Sequence, residues 1–299
     1  MSKQARKQLK NTIGDIKWLI SLAKNSVKIA QISIEEDDGM HNLRPQMHIM
    51  LRSSTGSLKS TILRFIQVAS NGFFVDSTTA PGMVGTIDKT TFQMIPGASW
   101  KGRNNILLFD EFNFRRKTTD SVVFLKLLED QTYVKRFGLF SSAQELKDKD
   151  LYFRVDKGLV EVKTRFSAVI ATMRRFEYFS SANFKALVNR CIPYEYSFNL
   201  DELDYLISKT KLFTVSRYKT KDSYIVKNRD YKRIKKAVKK LMPDNDVGKE
   251  NFTRAVGDAV RAHCIMGNCK KSYIEKICKW KIDTYSKIGK YYEKRGEKK

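Results

Sequence analysis

The segment that decides the fold of this chain is Arg52-Ser-Ser-Thr-Gly-Ser-Leu-Lys-Ser-Thr61. An apolar run, His48-Ile-Met-Leu51, precedes it, and a second, Ile62-Leu-Arg-Phe-Ile66, follows it. This order predicts a strand, a loop of small residues and a helix. The loop ends in Lys59-Ser60, which is typical of a phosphate-binding loop. In such a loop, backbone N–H groups at a helix N-terminus surround a polyphosphate, the lysine reaches the β and γ phosphates, and the hydroxyl binds Mg²⁺.

The loop departs from the full pattern, G-x-x-x-x-G-K-[ST], at both outer glycine positions. Ser53 and Leu58 stand there, and only Gly56 remains. The loop alone therefore also fits an ordinary turn between a strand and a helix. The residues predicted to hold a nucleotide are Ser53, Ser54, Thr55, Gly56, Ser57, Leu58, Lys59, Ser60 and Thr61.

A second motif, Asn105-Ile-Leu-Leu-Phe-Asp-Glu-Phe112, lies about 50 residues further along the chain. In it an apolar strand leads directly into two carboxylates. At a phosphate-binding loop that hydrolyses nucleoside triphosphates, the first carboxylate holds Mg²⁺ and the second polarises the attacking water. We therefore predict that Ser60 and Asp110 are Mg²⁺ ligands and that Glu111 is catalytic. The alternative is that the acidic pair only caps the following helix.

The composition is that of a folded and strongly basic protein. The 299 residues are 41% hydrophobic and 30% charged with only five prolines, which argues against a mostly disordered chain. This length accommodates one large α/β domain and a smaller helical domain. The net charge of +25 indicates a polyanionic partner, most simply a nucleic acid. The alternative is a lysine-rich surface that is merely solvated.

The cysteines and the hydropathy pattern favour an intracellular protein. Cys191, Cys264, Cys269 and Cys278 form no C-x-x-C pair, and His263 beside Cys264 matches no zinc spacing. We therefore expect buried thiols in a reducing compartment. No apolar run approaches the roughly 18 residues of a membrane span, and the N-terminus lacks the apolar core of a signal peptide. These features predict a soluble, cytoplasmic protein that does not bind membranes.

The order of the predicted elements gives an α/β fold. Residues 1–34 are predicted mostly as helix, and residues 35–39 as an acidic turn. Strands then alternate with helices up to about residue 200, which predicts a mainly parallel sheet covered on both faces. Residues 77–85 are expected to form a loop of small residues, and residues 132–167 a long basic hairpin.

Taken together, these segments resemble the AAA+ motor domain of the minichromosome maintenance (MCM) replicative helicases. Ser53-Ser-Thr-Gly-Ser-Leu-Lys-Ser60 aligns without gaps with the family's Gly-Asp-Pro-Gly-Thr-Ala-Lys-Ser. Leu43-Arg-Pro-Gln-Met-His-Ile-Met-Leu51, before it, resembles Leu-Arg-Gly-Asp-Ile-His-Val-Leu-Leu. Pro96-Gly-Ala98, followed by Ile106-Leu-Leu-Phe-Asp-Glu-Phe112, resembles Ala-Gly-Ala followed by Asp-Glu-Phe.

Three later segments extend the resemblance to roughly residues 10–285. Leu128-Glu-Asp-Gln-Thr132 resembles Met-Glu-Gln-Gln-Thr, which precedes the family's presensor hairpin. Ala186-Leu-Val-Asn-Arg190 resembles Leu-Leu-Ser-Arg, whose arginine reaches the ATP of the neighbouring subunit. Thr253-Arg254, with Arg261 seven residues on, resembles the lid helix Thr-x-Arg-x-Leu-Glu-x-x-x-Arg, whose first arginine is the sensor 2 residue.

The resemblance implies a P-loop NTPase of the AAA+ class. Its three-layer αβα core, with a mainly parallel sheet, would occupy residues 1–200, and a C-terminal α-helical lid with basic helices would occupy residues 201–299. The implied function is an ATPase that acts on DNA as a helicase or translocase, with ATP and Mg²⁺ as cofactors. It would work as a homo-oligomer, a hexameric ring being the simplest form, and a separate initiator or loader protein would recognise the origin.

The resemblance also assigns roles to basic side chains. Arg190 would act as an arginine finger in trans, and Arg254 would close the lid over the γ-phosphate. A surface ion pair and plain solvation are the alternatives for these two residues. The residues predicted to contact DNA phosphates in the channel of the ring are Lys135, Arg136, Lys163 and Arg165.

Two departures from the family pattern bear on activity. Met173 stands where the family has its sensor 1 asparagine, and because methionine cannot orient a water, we predict that Thr172 takes this role. The glycine-poor loop and Met173 together favour weak hydrolysis. The family's N-terminal DNA-binding domain is also absent, which favours a bare motor of the kind a plasmid or virus would encode.

Three other functional classes fit parts of the pattern. An ATP-dependent initiator, loader or transposition switch would bind ATP and DNA and hydrolyse slowly, as Leu58 and Met173 favour. A structural nucleic-acid-binding protein with a decayed NTPase fold is disfavoured by the intact Lys59-Ser60 and Asp110-Glu111 pairs. A motor acting on protein is disfavoured by the net charge of +25.

Overall fold

The computed structural model of the chain describes residues 3–54, 57, 59–75, 79–87, 90, 94–110, 118–136, 153–156, 159–178, 182–207, 216, 218–288 and 290. The helices are α1 (Lys3–Ser26), α2 (Lys59–Ser70), α3 (Ala80–Val84), α4 (Ala98–Lys101), α5 (Thr118–Asp130), α6 (Ala182–Arg190), α7 (Leu200–Ile207), α8 (Asn228–Leu241), α9 (Asp246–Met266) and α10 (Lys271–Tyr285). The strands are β1 (Gln31–Glu36), β2 (Gly39–Leu43), β3 (His48–Arg52), β4 (Phe73–Phe74), β5 (Gly85–Ile87), β6 (Met94–Pro96), β7 (Asn105–Phe109), β8 (Thr132–Arg136), β9 (Phe153–Asp156), β10 (Leu159–Lys163), β11 (Phe166–Thr172), β12 (Cys191–Glu195) and β13 (Ser223–Val226).

The centre of the fold is a five-stranded, all-parallel sheet in the order β12-β3-β11-β7-β4. Parallel pairing places the carboxyl ends of all five strands at one edge. The register sets Thr172 of β11 beside Arg52 of β3, and Ile170 of β11 beside Phe109 of β7. The chain is therefore an α/β protein with a parallel sheet, as the alternation of strands and helices predicts.

Helices cover both faces of this sheet because its strands are apolar on both sides. Alternate residues, such as Ile49 and Leu51, pack with α1, α2 and α9 in one hydrophobic cluster. Residues on the other face of the sheet, such as Met50 of β3 and Leu107 of β7, pack with α3, α4, α5 and α6 in a second cluster. The arrangement therefore has three layers, with helices packed on each face of the sheet.

The N-terminal segment differs from the prediction of a helix over residues 1–34. Helix α1 ends at Ser26, and β1 and β2 form an antiparallel hairpin around the acidic turn. The strand β13, near residue 225, pairs in parallel with β1. This long-range pairing satisfies the backbone of β1, and a local pattern cannot reveal it.

Residues beyond 200 are not wholly helical, and their described apolar residues pack into the core beside the parallel sheet. Apolar residues of α8, α9 and α10 share one cluster with α1 and with the strands β3 and β12. Trp18 of α1 stacks on Tyr273 of α10 with their ring centroids 4.6 Å apart. Helices α8, α9 and α10 thus pack directly on the layer that covers one face of the sheet, and the boundary near residue 200 stays a prediction.

Two predicted loops contain additional structure. Within residues 77–85, Ala80–Val84 form the short helix α3, capped by the Thr79 hydroxyl, which accepts a hydrogen bond from the Gly82 N–H. In place of a two-stranded hairpin, residues 132–163 contain three antiparallel strands in the order β8-β10-β9. Residues 137–152 of the predicted hairpin lie outside the described residues.

A buried charge network joins α9 and α10 to the sheet. Asp258 accepts a hydrogen bond from Arg261 at 2.8 Å and pairs with the ammonium of Lys281 at 2.9 Å, and all three side chains are buried. Lys281 also donates to the carbonyls of Asn189 and Cys191. The network fixes the junction of α6 and β12. All four cysteines are free and buried, as predicted.

His48 is a structural histidine at the start of β3. Its Nε2–H donates to the carbonyl of Leu128 at 2.9 Å, and its Nδ1 accepts from the N–H of Ala168 at 3.0 Å. Burial, together with the nearby charge of Arg44, lowers the pKa of His48 well below its usual value. The ring is therefore neutral in the fold. A proton on Nδ1 would point at the N–H of Ala168, so that two donors would face each other.

His48 makes stability depend on pH. The unfolded chain takes up a proton on this ring below pH about 6.5 and the folded chain does not, so the free energy of unfolding falls as pH drops from 7.5 to 5.5, at up to about 1.4 kcal/mol per pH unit. Urea unfolding of His48→Gln should show a clearly shallower slope, with the remainder coming from His263, whose pKa burial also lowers. His41, whose pKa is raised by its hydrogen bond with Asp38, is the control, and His41→Gln should not flatten the slope. Equal slopes for His48→Gln and the unaltered chain would contradict this assignment.

Candidate functional site

The predicted phosphate loop lies at the carboxyl edge of the parallel sheet. It leaves β3 after Arg52 and enters α2 at Lys59. The N–H of Ser53 donates to the carbonyl of Thr172 at 3.3 Å, which holds the start of the loop against β11. Within it, the Ser57 hydroxyl donates to the carbonyl of Ser54. Thr55, Gly56 and Leu58 lie outside the described residues.

Lys59 occupies an unfavourable position for a cation. It is the first residue of α2, where the helix dipole presents positive charge, and its side chain is only 8% exposed. Among the residues that the structure describes, no carboxylate forms an ion pair with it. A buried cation without a partner is costly, and a bound anion at the helix N-terminus would remove that cost.

The acidic motif ends at the same edge. Asp110 follows the last residue of β7 and is exposed, whereas Glu111 lies outside the described residues. Because β11 lies between β3 and β7, the ends of these two strands are about 10 Å apart, at roughly 4.8 Å for each strand spacing. The loop and Asp110 therefore lie at the same edge of the sheet, with the end of β11 between them.

Thr172 stands at the end of β11, between the loop and Asp110. Its side chain is buried, and its hydroxyl accepts a hydrogen bond from the Arg174 N–H at 3.2 Å, which leaves the hydroxyl hydrogen to donate. Met173 follows it and is 36% exposed. The structure therefore brings together the described parts of the loop, Asp110 and Thr172.

Tyr196 is a residue of this edge that the sequence did not indicate. It follows β12, its N–H donates to the carbonyl of Arg52, and its buried phenol lies beside Ser53 and within the electrostatic reach of Asp110. Burial raises the pKa of Tyr196 to about 12, and the charge of Asp110 adds to this shift. The phenol is therefore neutral and able to donate a hydrogen bond beside the loop.

A second unpredicted feature fixes the base of the loop. Glu195, the last residue of β12, forms ion pairs with Arg52 and with Lys287, the latter at 2.8 Å. Burial by itself raises the pKa of Glu195, but the hydrogen bond from Lys287 and the charge of Arg52 outweigh it and lower the pKa. The carboxylate thus ties the end of β3 to the segment after α10.

The two predicted nucleotide-sensing arginines lie together at the opposite edge of the sheet. Arg190 ends α6 and pairs through Nε with one oxygen of Glu129 at 2.8 Å. Arg254 of α9 donates to the other oxygen of Glu129 at 2.7 Å. Glu129 follows Leu128, whose carbonyl is bonded to His48 at the first position of β3. The pair therefore belongs to the amino edge of the strands.

This placement separates both arginines from the loop of their own chain. From His48 to Arg52, β3 alone extends about 13 Å, at roughly 3.3 Å per residue. Arg254 is therefore far from the loop of its own chain, and its predicted closure over a γ-phosphate stays a prediction. The expectation that Arg190 acts on a neighbouring subunit requires an outward position of this kind.

The amino edge is rich in positive charge. Besides Arg190 and Arg254, it includes Arg44 and the buried Arg261. Burial, followed by repulsion from Arg261, lowers the pKa of Arg44 to about 9, so the side chain stays charged at neutral pH. Burial by itself raises the pKa of Glu129, but the hydrogen bond from Arg254 and the surrounding guanidiniums lower it. Glu129 is therefore a carboxylate held among four arginines.

The predicted DNA-contacting residues lie on or beside the three-stranded sheet. The backbone register sets Lys135 of β8 opposite Val160 and Lys163 of β10 opposite Thr132. Arg136 ends β8, and Arg165 lies between β10 and β11 and is half-buried. The side chains of Lys135, Arg136 and Lys163 lie outside the described part of the chain.

Within the described ranges, no three carboxylate, imidazole or thiol side chains form a group that could hold a metal ion. Mg²⁺ requires less, since it is commonly held by one or two carboxylates, substrate phosphates and waters. Asp110 and Ser60, both exposed at the carboxyl edge, fit that donor set. Of the helices that the structure describes, none combines the length and the apolar content that a membrane crossing requires.

Comparison with known proteins leaves the family open. The sequence matches no protein-family model, and a comparison with curated proteins finds no match. The site is therefore interpreted from its own geometry and chemistry.

The bridge at Glu129 predicts a specific coupling between side chains. Glu129→Ala leaves Arg190 and Arg254 near each other without a carboxylate, and we expect the free energy of unfolding in urea to fall by about 1–2 kcal/mol. In the Glu129→Ala background, Arg254→Ala should cost less than it does alone, because it then removes a repulsion. Asp130→Ala, an exposed neighbour, is the control. Strictly additive effects would contradict the bridge.

Proposed function

We propose that this chain is an ATP-hydrolysing motor of the AAA+ type that acts on DNA, similar to the MCM replicative helicases, and that it works as a ring. The observation that carries the proposal is the buried Lys59 at the N-terminus of α2, at the same edge as Asp110. A cation without a carboxylate partner at a helix N-terminus suits a polyphosphate ligand. The net charge of +25 suits a nucleic acid as the polymer on which the motor acts.

Each residue of the carboxyl edge has its own role in the proposed hydrolysis. Lys59 and the loop N–H groups hold the β and γ phosphates, and Ser60 and Asp110 hold Mg²⁺. When bound, Mg²⁺ neutralises charge that develops on the phosphate oxygens. Glu111 orients the attacking water, and Thr172, between the loop and Asp110, donates to the γ-phosphate or to that water. The neutral Tyr196 supports Ser53 at the base of the loop.

The amino edge supplies the remaining positive charge to a neighbouring subunit. Arg190 and Arg254 share one surface, so both would face the carboxyl edge of the next copy. Two different surfaces that meet head to tail form a heterologous contact, and repeated contacts of that kind close into a ring when the rotation permits. The proposal therefore assigns Arg254 to the neighbour's γ-phosphate together with Arg190, with Glu129 positioning both.

A second candidate function is an ATP-dependent switch, such as an initiator or loader, that binds ATP and hydrolyses it slowly. Met173 favours it, because a methionine stands exposed beside Thr172 at the edge where a polar group would orient the water. The two functions share the same binding chemistry and differ in turnover. Turnover stimulated by DNA supports the motor, and tight ATP binding with negligible turnover supports the switch.

Replacing Lys59 tests the nucleotide site. In Lys59→Ala, ATP hydrolysis with and without single- or double-stranded DNA should fall by about 100-fold or more, because phosphate charge loses its main counter-charge. The free energy of unfolding without nucleotide should stay the same or rise, since the change removes a buried cation that has no ion pair among the described residues. Lys126→Ala, at an exposed site on α5, is the control and should hydrolyse ATP normally. Full turnover in Lys59→Ala, or a marked loss of its stability, would refute the site.

A further inference from the structure

A groove between α8 and α9 carries a concentration of positive charge that the proposed nucleotide chemistry does not use. The groove has a volume of about 860 Å³. Its lining residues are Lys232, Lys235, Lys236, Lys239, Met242, Pro243, Asp244, Gly248, Lys249 and Phe252. Five of these ten residues are lysines, and Asp244 is the one carboxylate among them.

Four of the lysines form a continuous stripe on α8. They stand at positions 232, 235, 236 and 239, the spacing of one helix face, while Ile234 and Val238 on the opposite face are buried. Like charges three and four residues apart destabilise a helix. Because the stripe weakens α8 by itself, its charge points to an external anion.

Part of the stripe is already neutralised by the hairpin of β1 and β2. Lys232 pairs with Asp37 at 2.8 Å, and Lys235 lies 3.9 Å from a carboxylate oxygen of Glu36. In the described part of the chain, Lys236, Lys239 and Lys249 have no ion pair. The charge not compensated within the chain therefore lies at the end of the groove toward α9.

The floor of this end is apolar. Met242, Pro243 and Phe252 line it, and Phe252 is half-buried against the core. Gly248 permits the tight junction of α8 and α9, because a Cβ there would lie 1.8 Å from the carbonyl oxygen of Pro243. The junction thus holds an aromatic ring beside a row of ammonium groups.

We propose that this groove binds single-stranded nucleic acid. The stripe from Lys232 to Lys239 is about 10 Å long at 1.5 Å per residue, which spans roughly three phosphates of one strand. An unpaired base can stack on Phe252, as bases stack on aromatic residues in single-strand-binding grooves. Lysine contacts to phosphates carry no base specificity and do not distinguish DNA from RNA.

The acidic turn would act as an internal competitor. Asp37 and its ion pair with Lys232 are exposed, and exposed ion pairs contribute little, so a phosphate can displace the carboxylate. Binding at this groove is separate from ATP hydrolysis and needs no nucleotide. Its failure in an experiment without nucleotide would leave the proposed motor chemistry untouched.

The test measures binding of the full-length protein to fluorescent dT20 and U20 without nucleotide, by anisotropy over a range of salt concentrations. The triple variant Lys236→Gln, Lys239→Gln, Lys249→Gln should bind roughly tenfold more weakly, and its slope of log affinity against log salt should be shallower by about 2, at about 0.7 per phosphate contact. The matched control, Lys270→Gln, Lys271→Gln, Lys279→Gln, removes the same charge from exposed positions of and beside α10 and should keep the slope. Equal slopes for the two triple variants would overturn the proposal.

Two further variants test the acidic turn and the aromatic ring separately. Asp37→Asn should bind both oligonucleotides about twofold more tightly, because it removes the competitor. Phe252→Leu keeps an apolar side chain but loses the ring, and it should weaken dT20 binding about fivefold without changing the binding of inorganic polyphosphate. Equal losses for dT20 and polyphosphate would overturn the assignment to nucleic acid. The assignment would also be overturned if the variant Lys236→Gln, Lys239→Gln, Lys249→Gln lost its binding to anionic lipid vesicles but kept its binding to dT20.

Discussion

The parallel pairing of the five central strands determines where every other part of this structure lies. Parallel pairing gives the sheet two chemically different edges, because every strand begins at one and ends at the other. The carboxyl edge collects the loop with Lys59, then Asp110 and Thr172, and ligands of open α/β sheets bind outside this edge. The amino edge collects Arg190 and Arg254 around Glu129. The separation of Lys59 from Arg190 and Arg254 is thus a direct consequence of topology, and a site made of all three would require two copies of the chain.

Charge balance distinguishes structural from functional cations in this strongly basic chain. Arg261 and Lys281 are buried but share Asp258, so their charges are compensated within the fold. Lys59 is buried but has no such partner among the described residues. The groove lysines are exposed and only partly compensated by the acidic turn. We assign external phosphates to Lys59 at the loop and to the groove lysines, whose charges the described residues compensate only in part or not at all.

Much of the central sheet could be predicted from sequence because its strands are recognisable from local composition. The run His48–Leu51, the run leading to Asp110 and the run Phe166–Thr172 are each buried apolar strands followed by a change of composition. Pairings between distant segments could not be predicted, as β13 on β1 shows. The same limit applied to the site. Tyr196 lies in no motif, and the motif that contains Glu129 indicates only the hairpin after it. The fold alone brings these residues beside Ser53 and the two arginines. The motif that contains Arg254 specifies a residue and not the edge of the sheet on which it lies, so the sequence did not show which chain's γ-phosphate this arginine could reach.

We propose that one chain's carboxyl edge and another chain's amino edge form a single catalytic site. Mixing two inactive variants is the first test of this arrangement. Arg190→Ala retains the loop and Lys59→Ala retains the arginine surface, so ATP turnover in an equimolar mixture should recover to about a quarter of that of the unaltered protein, the fraction of interfaces that pair an intact loop with an intact arginine in a head-to-tail ring. If the mixture shows no more turnover than the average of the two variants measured separately, each site is contained in one chain, and the account of two complementary edges is wrong.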